Sequence, residues 1–163
     1  PQLFPGCPES GEACLQRYRA WMDDYIRENG VPVKPGLREL LAWLKQAHIL
    51  CAVATSTFTN VAIGYLKSAG VLNCFAAIVG GDQVTKSKPD PEIFQLAMRA
   101  LGKQTPETCV VFEDSRNGLL AGASGGFPVI VVPDLFDPTL ELPGLCYARC
   151  ARLDEAIDVI QNS

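Results

Sequence analysis

The feature that most limits what this chain can fold into is a recurring figure. A short apolar run stops abruptly in polar residues, and a helical pattern follows at once. Its sharpest case is Val110-Val111-Phe112, which runs into Glu113-Asp114 and then into the turn formers Ser115-Arg116-Asn117-Gly118. A strand buried on both faces reads as such an uninterrupted run, and in open α/β sheets ligands bind beyond the carboxyl ends of the strands. Glu113 and Asp114 would then stand at the mouth of a site, where carboxylate oxygens suit a hard divalent cation such as Mg²⁺. A plainer reading is open too, because Asp114 and Ser115 are both favoured N-caps of a following helix.

The figure recurs along the chain. Ile49–Ala54 ends in Thr55-Ser56-Thr57, Phe75–Val79 in Gly80-Gly81-Asp82, and Pro128–Val132 in a proline-rich loop over 133–143. A further strand is expected near Cys146–Ala148. Between the runs lie helical patterns. Leu37, Leu40, Leu41, Leu44 and Ala47 repeat at i, i+3, i+4. Phe58 to Ala69 closes at Gly70, and Leu153 to Ile160 ends the series. Asp90-Pro91 offers a good N-cap and a good first helical residue, opening a helix through Leu101 that stops at Gly102. Thr105-Pro106 starts a short turn. Cys109–Phe112 is the fourth strand, and Ser115 to Ser124 is a helix weakened by Gly122 and ended by Gly125-Gly126. Helices alternating with buried strands predict a doubly wound parallel α/β sheet.

Ahead of this pattern stands a different one. Residues 1–9 hold three prolines and read as a loop. From Ser10 to Asn29 an amphipathic helix is predicted, with Leu15, Tyr18, Trp21 or Met22, and Tyr25 or Ile26 on one stripe, closed by Gly30. Val31-Pro32-Val33-Lys34-Pro35-Gly36 reads as a linker, because its prolines prevent the helix from continuing. The expected organisation is thus a helical segment over 1–31 and an α/β core over 32–163.

Composition excludes several classes. A chain of 163 residues has room for one domain with a real core, and 48% hydrophobic with 20% charged residues is not a disordered composition. Its formal charge of -4, with scattered Lys and Arg, gives no basic field for nucleic acid. No apolar run approaches the roughly 20 residues that span a bilayer, and no signal-peptide pattern is found. Seven cysteines, an odd number without a CxxC pair, suit reduced, buried thiols in a cytoplasmic protein. The single histidine, His48, lies in a turn before a strand and receives no role.

Three polar clusters remain at strand ends or just before helices: Thr55-Ser56, Lys88 and Glu113-Asp114. Hydroxyls and backbone N–H groups hold an anion, a lysine neutralises it, and carboxylates hold a divalent metal. Those are the needs of phosphoryl transfer, which is chiefly positioning and charge stabilisation.

On these residues the chain resembles the haloacid dehalogenase superfamily, in particular the branch of β-phosphoglucomutase and phosphoglycolate phosphatase-like enzymes. Val53-Ala54-Thr55-Ser56 looks like its second motif, Ser87-Lys88-Pro89-Asp90-Pro91-Glu92-Ile93-Phe94 its third, and Phe112-Glu113-Asp114-Ser115-Arg116-Asn117-Gly118 its fourth. The resemblance implies a Rossmann-like core and a Mg²⁺-dependent phosphatase acting on a small phosphorylated metabolite. It implies that Thr55 and Ser56 bind the phosphoryl group and that Lys88 neutralises it. Asp114 would ligate Mg²⁺ with Glu113 as its partner, and no nucleic acid or membrane is implied. A loop lysine contributes little to a core, so replacing Lys88 is expected to spare folding.

The family's first motif, DxDxT or DxDG, which carries the nucleophilic and acid–base aspartates, is not found. Asp23-Asp24 lie mid-helix, and Asp134-Leu135-Phe136-Asp137 has the wrong spacing in a late loop. The helical segment then looks like the tail of the family's cap, and the nucleophile is expected upstream of Pro1 on the strand that lies at the centre of the sheet. Residues 1–163 alone are expected to be inactive. A sugar-phosphate mutase and a non-catalytic phospho-ligand-binding relative are the alternatives. Phe58 and Thr59, where the mutases carry lysine and asparagine, tilt the reading toward hydrolysis.

Overall fold

A computed structural model describes residues 11–162. The elements in order are α1 (Gly11–Asn29), α2 (Leu37–Gln46), β1 (Ala52–Ala54), α3 (Thr59–Ser68), β2 (Ala77–Val79), α4 (Glu92–Ala100), β3 (Val111–Glu113), α5 (Arg116–Ser124), β4 (Val129–Val131), β5 (Ala148–Arg149) and α6 (Ala156–Gln161). The chain divides into two compact units, Pro1–Pro32 and Val33–Ser163. The expected loop over 1–9 and the helix start at Ser10 lie outside the described residues, as does Cys7.

In the first unit, α1 carries Leu15, Tyr18, Trp21 and Tyr25 on the predicted stripe, all of them exposed. The spacing brings the aromatic rings together along the helix, with centroids 6.3 Å apart for Tyr18 and Trp21 and 5.7 Å for Trp21 and Tyr25.

The second unit is built on parallel strands covered by helices on both faces. Successive residues of a strand point to opposite faces, and β4 shows what that requires. Val129 and Val131 enter a core with Ile93, Phe94 and Met98 of α4 and Leu119 of α5. Ile130 and Val132 point the other way, into a core with Leu40 and Leu44 of α2, Leu153 and Ala156. Each such side chain contributes about 1.5–3 kcal/mol by leaving water. The contact of α5 with β4 depends on Gly122, where a Cβ would sit 2.5 Å from Val129 Cγ2. The glycine that weakens the helix in isolation is what lets it pack.

Every strand pairing is parallel, as expected, with Ala52 opposite Ala77, Val111 opposite Val129 and Ile130 opposite Ala148. The pairings fall into two sheets, β1-β2 and β3-β4-β5, with no ladder joining β1 to β3. The hydrogen bonds show which way these edges face. Cys51 O and Thr55 N bond to the β2 strand, and Val111 N and Glu113 O bond to the β4 strand. Alternation then directs the main-chain groups of Ala52, Ala54 and Phe112 away from those partners, toward the unladdered side.

Several boundaries differ from the sequence expectation. The strand predicted from Ile49 begins at Ala52, leaving Ile49 and Leu50 exposed, and the one predicted from Cys109 begins at Val111. A strand starts where its partner does, and apolarity alone does not mark that point. Ala47 lies beyond the end of α2 and is exposed, β5 sits two residues later than predicted, and α6 starts after the buried Leu153. The helix ends at Gly30, Gly70 and Gly102 do carry positive φ. Of the six described cysteines Cys150 is buried, whereas Cys51 and Cys109, expected inside apolar runs, are only half-buried. No described helix is long and apolar enough to cross a membrane.

Candidate active site

At the carboxyl ends of β1 and β3 lies an open pocket of about 380 Å³. Thr55, Ser56, Lys88, Glu113 and Asp114, the five residues singled out by sequence, all line it, together with Lys34, which was read only as part of a linker.

Thr55 and Ser56 follow β1 directly. The Thr55 amide donates to Val79 O at 3.0 Å, and its Oγ1 accepts from the Thr57 amide at 3.1 Å, which fixes the turn at the strand end. Ser56 is exposed at the rim. Phe58 and Thr59, farther along, do not line the pocket. Phe58 is the exposed N-cap of α3, and Thr59 Oγ1 donates to Asp82 Oδ1 at 2.8 Å while accepting from Gln83 Nε2 at 2.7 Å. The Thr59 amide, donating at 2.6 Å, and then the Thr59 hydroxyl hold the Asp82 carboxyl below its ordinary range.

Lys88 reaches the pocket from the loop before α4, where the Lys88–Pro89 peptide is cis. Glu92 organises that loop. It accepts from Thr85 N at 3.0 Å, Thr85 Oγ1 at 2.9 Å and Lys86 N at 2.8 Å, and these donors hold its carboxyl below the usual range. Asp90 caps the turn into α4 by accepting from Glu92 N at 3.0 Å, as the sequence indicated. The Lys88 ammonium pairs with Glu113 Oε1, donates to Ala54 O at 3.3 Å and lies 4.6 Å from the centre of the Phe94 ring. It therefore bridges the ends of β1 and β3.

That ion pair is enclosed. The Lys88 and Glu113 side chains are only 11% and 8% exposed. Removing one partner of such a pair strands the other charge away from water, at a cost of about 3–5 kcal/mol. This corrects the expectation that replacing Lys88 would leave folding untouched.

Glu113 and Asp114 are adjacent but differently placed. Glu113 is held on both oxygens, with Oε2 accepting from Ser115 Oγ at 2.9 Å and from the Asp114 and Ser115 amides at 3.3 Å. It lies across the first turn of α5, and a Cβ at Gly118 would fall inside its carboxylate. Ser115 takes the capping role, accepting from Gly118 N at 3.0 Å. Asp114 is left to the pocket, 41% exposed, with Oδ2 3.3 Å from Lys34 Nζ. The plainer reading of this stretch as a helix cap therefore holds for Ser115 and not for Asp114.

Among the described residues no group of three or more His, Cys, Asp and Glu is gathered for a metal. Glu113, expected beside Asp114 as a metal ligand, is instead taken up by Lys88 and the Ser115 turn, so Asp114 is the carboxylate left open to the pocket. One such carboxylate still fits Mg²⁺, which keeps several waters and takes one or two carboxylates plus phosphate oxygens.

The chain is similar to several known proteins. Over 103 residues the chain is 44% identical to a phosphorylated carbohydrates phosphatase of Thermotoga maritima, covering 63% of this chain and 45% of that protein. It is 38% identical over 122 residues to the protein CbbY of Cereibacter sphaeroides, covering 73% of this chain and 53% of that protein. The crystal structure of CbbY from Rhodobacter sphaeroides in complex with phosphate superposes with a TM-score of 0.75 at 30% identity, covering 90% of this chain and 66% of that one. The chain thus spans about half the length of these two curated relatives. Residues 4–126 match the haloacid dehalogenase-like hydrolases, and the chain belongs to that family.

Proposed function

We propose that the protein is a Mg²⁺-dependent phosphomonoester hydrolase of a small phosphorylated metabolite, working in the cytoplasm. The observation that supports it most is the convergence of Thr55, Ser56, Lys88 and Asp114 on one pocket at the carboxyl ends of two parallel strands. In this reading the Thr55 and Ser56 hydroxyls bind the phosphoryl oxygens, and the Lys88 ammonium offsets their charge. Asp114 ligates Mg²⁺ and Glu113, its neighbour, fixes Lys88. The metal supplies charge neutralisation at the phosphoryl oxygens.

Both pocket carboxylates already have these tasks, so the attacking group is assigned to an aspartate upstream of Pro1. Its carboxylate oxygen bonds to phosphorus as the ester P–O bond breaks, and a second aspartate protonates the leaving oxygen. Water then cleaves the aspartyl-phosphate. The unladdered edges of β1 and β3 support this assignment, since they leave room for a strand that would deliver such a group beside Lys88. The helical segment to residue 31 is, on the same reading, the tail of a helical cap.

A sugar-phosphate mutase is disfavoured by Phe58, an apolar side chain at the α3 cap, and by Thr59, whose hydroxyl is engaged by Asp82 and Gln83. The test is phosphate release by the protein at its full natural length, with Mg²⁺, from a panel of sugar phosphates and phosphoglycolate. Hydrolysis that falls at least about a hundredfold in Asp114→Asn and in Thr55→Val is expected. Turnover unchanged in Asp114→Asn, or interconversion of sugar phosphates without release, would overturn the proposal.

A further inference from the structure

Lys34 is the pocket residue to which neither sequence pattern nor the proposed chemistry gives a task. Its backbone is pinned at the residue and just after it: Leu37 N donates to Lys34 O at 3.2 Å, and Leu153 N donates to Pro35 O at 3.0 Å. The side chain is 28% exposed, and its ammonium lies between carboxylates at the ends of two neighbouring strands. Asp114 Oδ2, after β3, is 3.3 Å away, and Asp134 Oδ2, after β4, is 3.7 Å away.

We propose that Lys34 is a positioning residue that acts as a movable counter-ion for Asp114. Its ammonium sits against Asp114 Oδ2, on the carboxylate assigned to the metal. When Mg²⁺ binds, Lys34 moves wholly to Asp134, and its charge is kept close to the site without blocking it. The physical reason is competition. An ammonium and a divalent ion on one carboxylate repel across a few ångströms, so each weakens the other's hold on it. Asp134 gives the displaced ammonium a second partner within reach, so displacement does not leave it unpaired.

The inference rests on Asp114 being the metal ligand, and its test separates the two. Mg²⁺ binding to the protein at its full natural length, without substrate, is measured by titration calorimetry. Asp114→Asn should remove binding; unchanged binding would overturn both the metal assignment and the role of Lys34. With that control in place, Lys34→Met should tighten Mg²⁺ binding by about three- to tenfold, with a gain that shrinks as salt rises. Asp134→Asn should weaken binding by about two- to threefold, because Lys34 then has only Asp114. The decisive measurement is the double variant. If Asp134 acts through Lys34, Asp134→Asn changes nothing in the Lys34→Met background. Weaker or unchanged binding in Lys34→Met, or the same effect of Asp134→Asn in both backgrounds, would overturn the proposal while leaving Asp114 as the ligand.

Discussion

Strands β4 and β1 are both three residues long and wholly apolar, yet they meet different fates. Val129, Ile130 and Val131 of β4 are each 0% exposed, whereas every residue of β1 remains partly exposed. Apolarity does not separate Val-Ile-Val from Ala-Val-Ala; neighbours do. β4 lies between β3 and β5, with a core on each face. Among the described residues, β1 has β2 on one edge and no ladder on the other. An apolar run therefore announces a strand suited to burial, and the presence of a partner on each edge decides how far burial goes. Where the β1 and β3 edges are not laddered, Lys88 spans their ends through Ala54 and Glu113.

The strongest way to break that contrast is to remove the span. Lys88→Ala should lower unfolding stability by about 3–5 kcal/mol, read from urea denaturation. The double variant Lys88→Met with Glu113→Gln should recover much of the loss, since no buried charge is then stranded. A single variant as stable as the wild type would show that the ion pair opens to water.

A gentler probe compares the edges themselves. In residues 1–163, the amides of Ala54 and Phe112, directed to the unladdered side, should exchange with solvent at least about tenfold faster than that of Ile130. Equal protection would mean that the two sheets are joined more tightly than their hydrogen bonds indicate.

The smallest expected effect concerns the loop that presents Lys88. Glu92 is held below its ordinary carboxyl range by the Thr85 and Lys86 donors. A depressed folded-state value contributes stability above the unfolded one, about pH 4.3, and loses it as pH falls through the folded value. Glu92→Gln should therefore be less stable than wild type at neutral pH, with the difference fading as pH falls through the folded-state value. A difference that persists in acid would assign the effect to packing and not to charge.

Much of this site was legible in the sequence because its chemistry is local. Thr55, Lys88 and Asp114 each follow a strand or precede a helix, and a parallel sheet gathers such ends at one edge. The parts that were not legible depend on tertiary contact. Lys34 reads as linker because nothing near it in sequence predicts that two strand ends will bracket its ammonium. Glu92 reads as an ordinary first-turn acid, although its partners lie six and seven residues earlier. The early starts assigned to β1 and β3 failed for a related reason. Ile49, Leu50 and Val110 are apolar enough for a strand, but strand length is set by pairing, which a single run does not encode.

The clearance at Gly118 bears on how this protein could be redesigned. Since even a methyl group there would collide with Glu113, that carboxylate and the opening turn of α5 behave as one part, and neither can be exchanged alone. Anyone wishing to retune the pocket for another ion or another ester has little freedom on that side. The more adjustable side chains are Lys34, Asp114 and Asp134, which reach solvent.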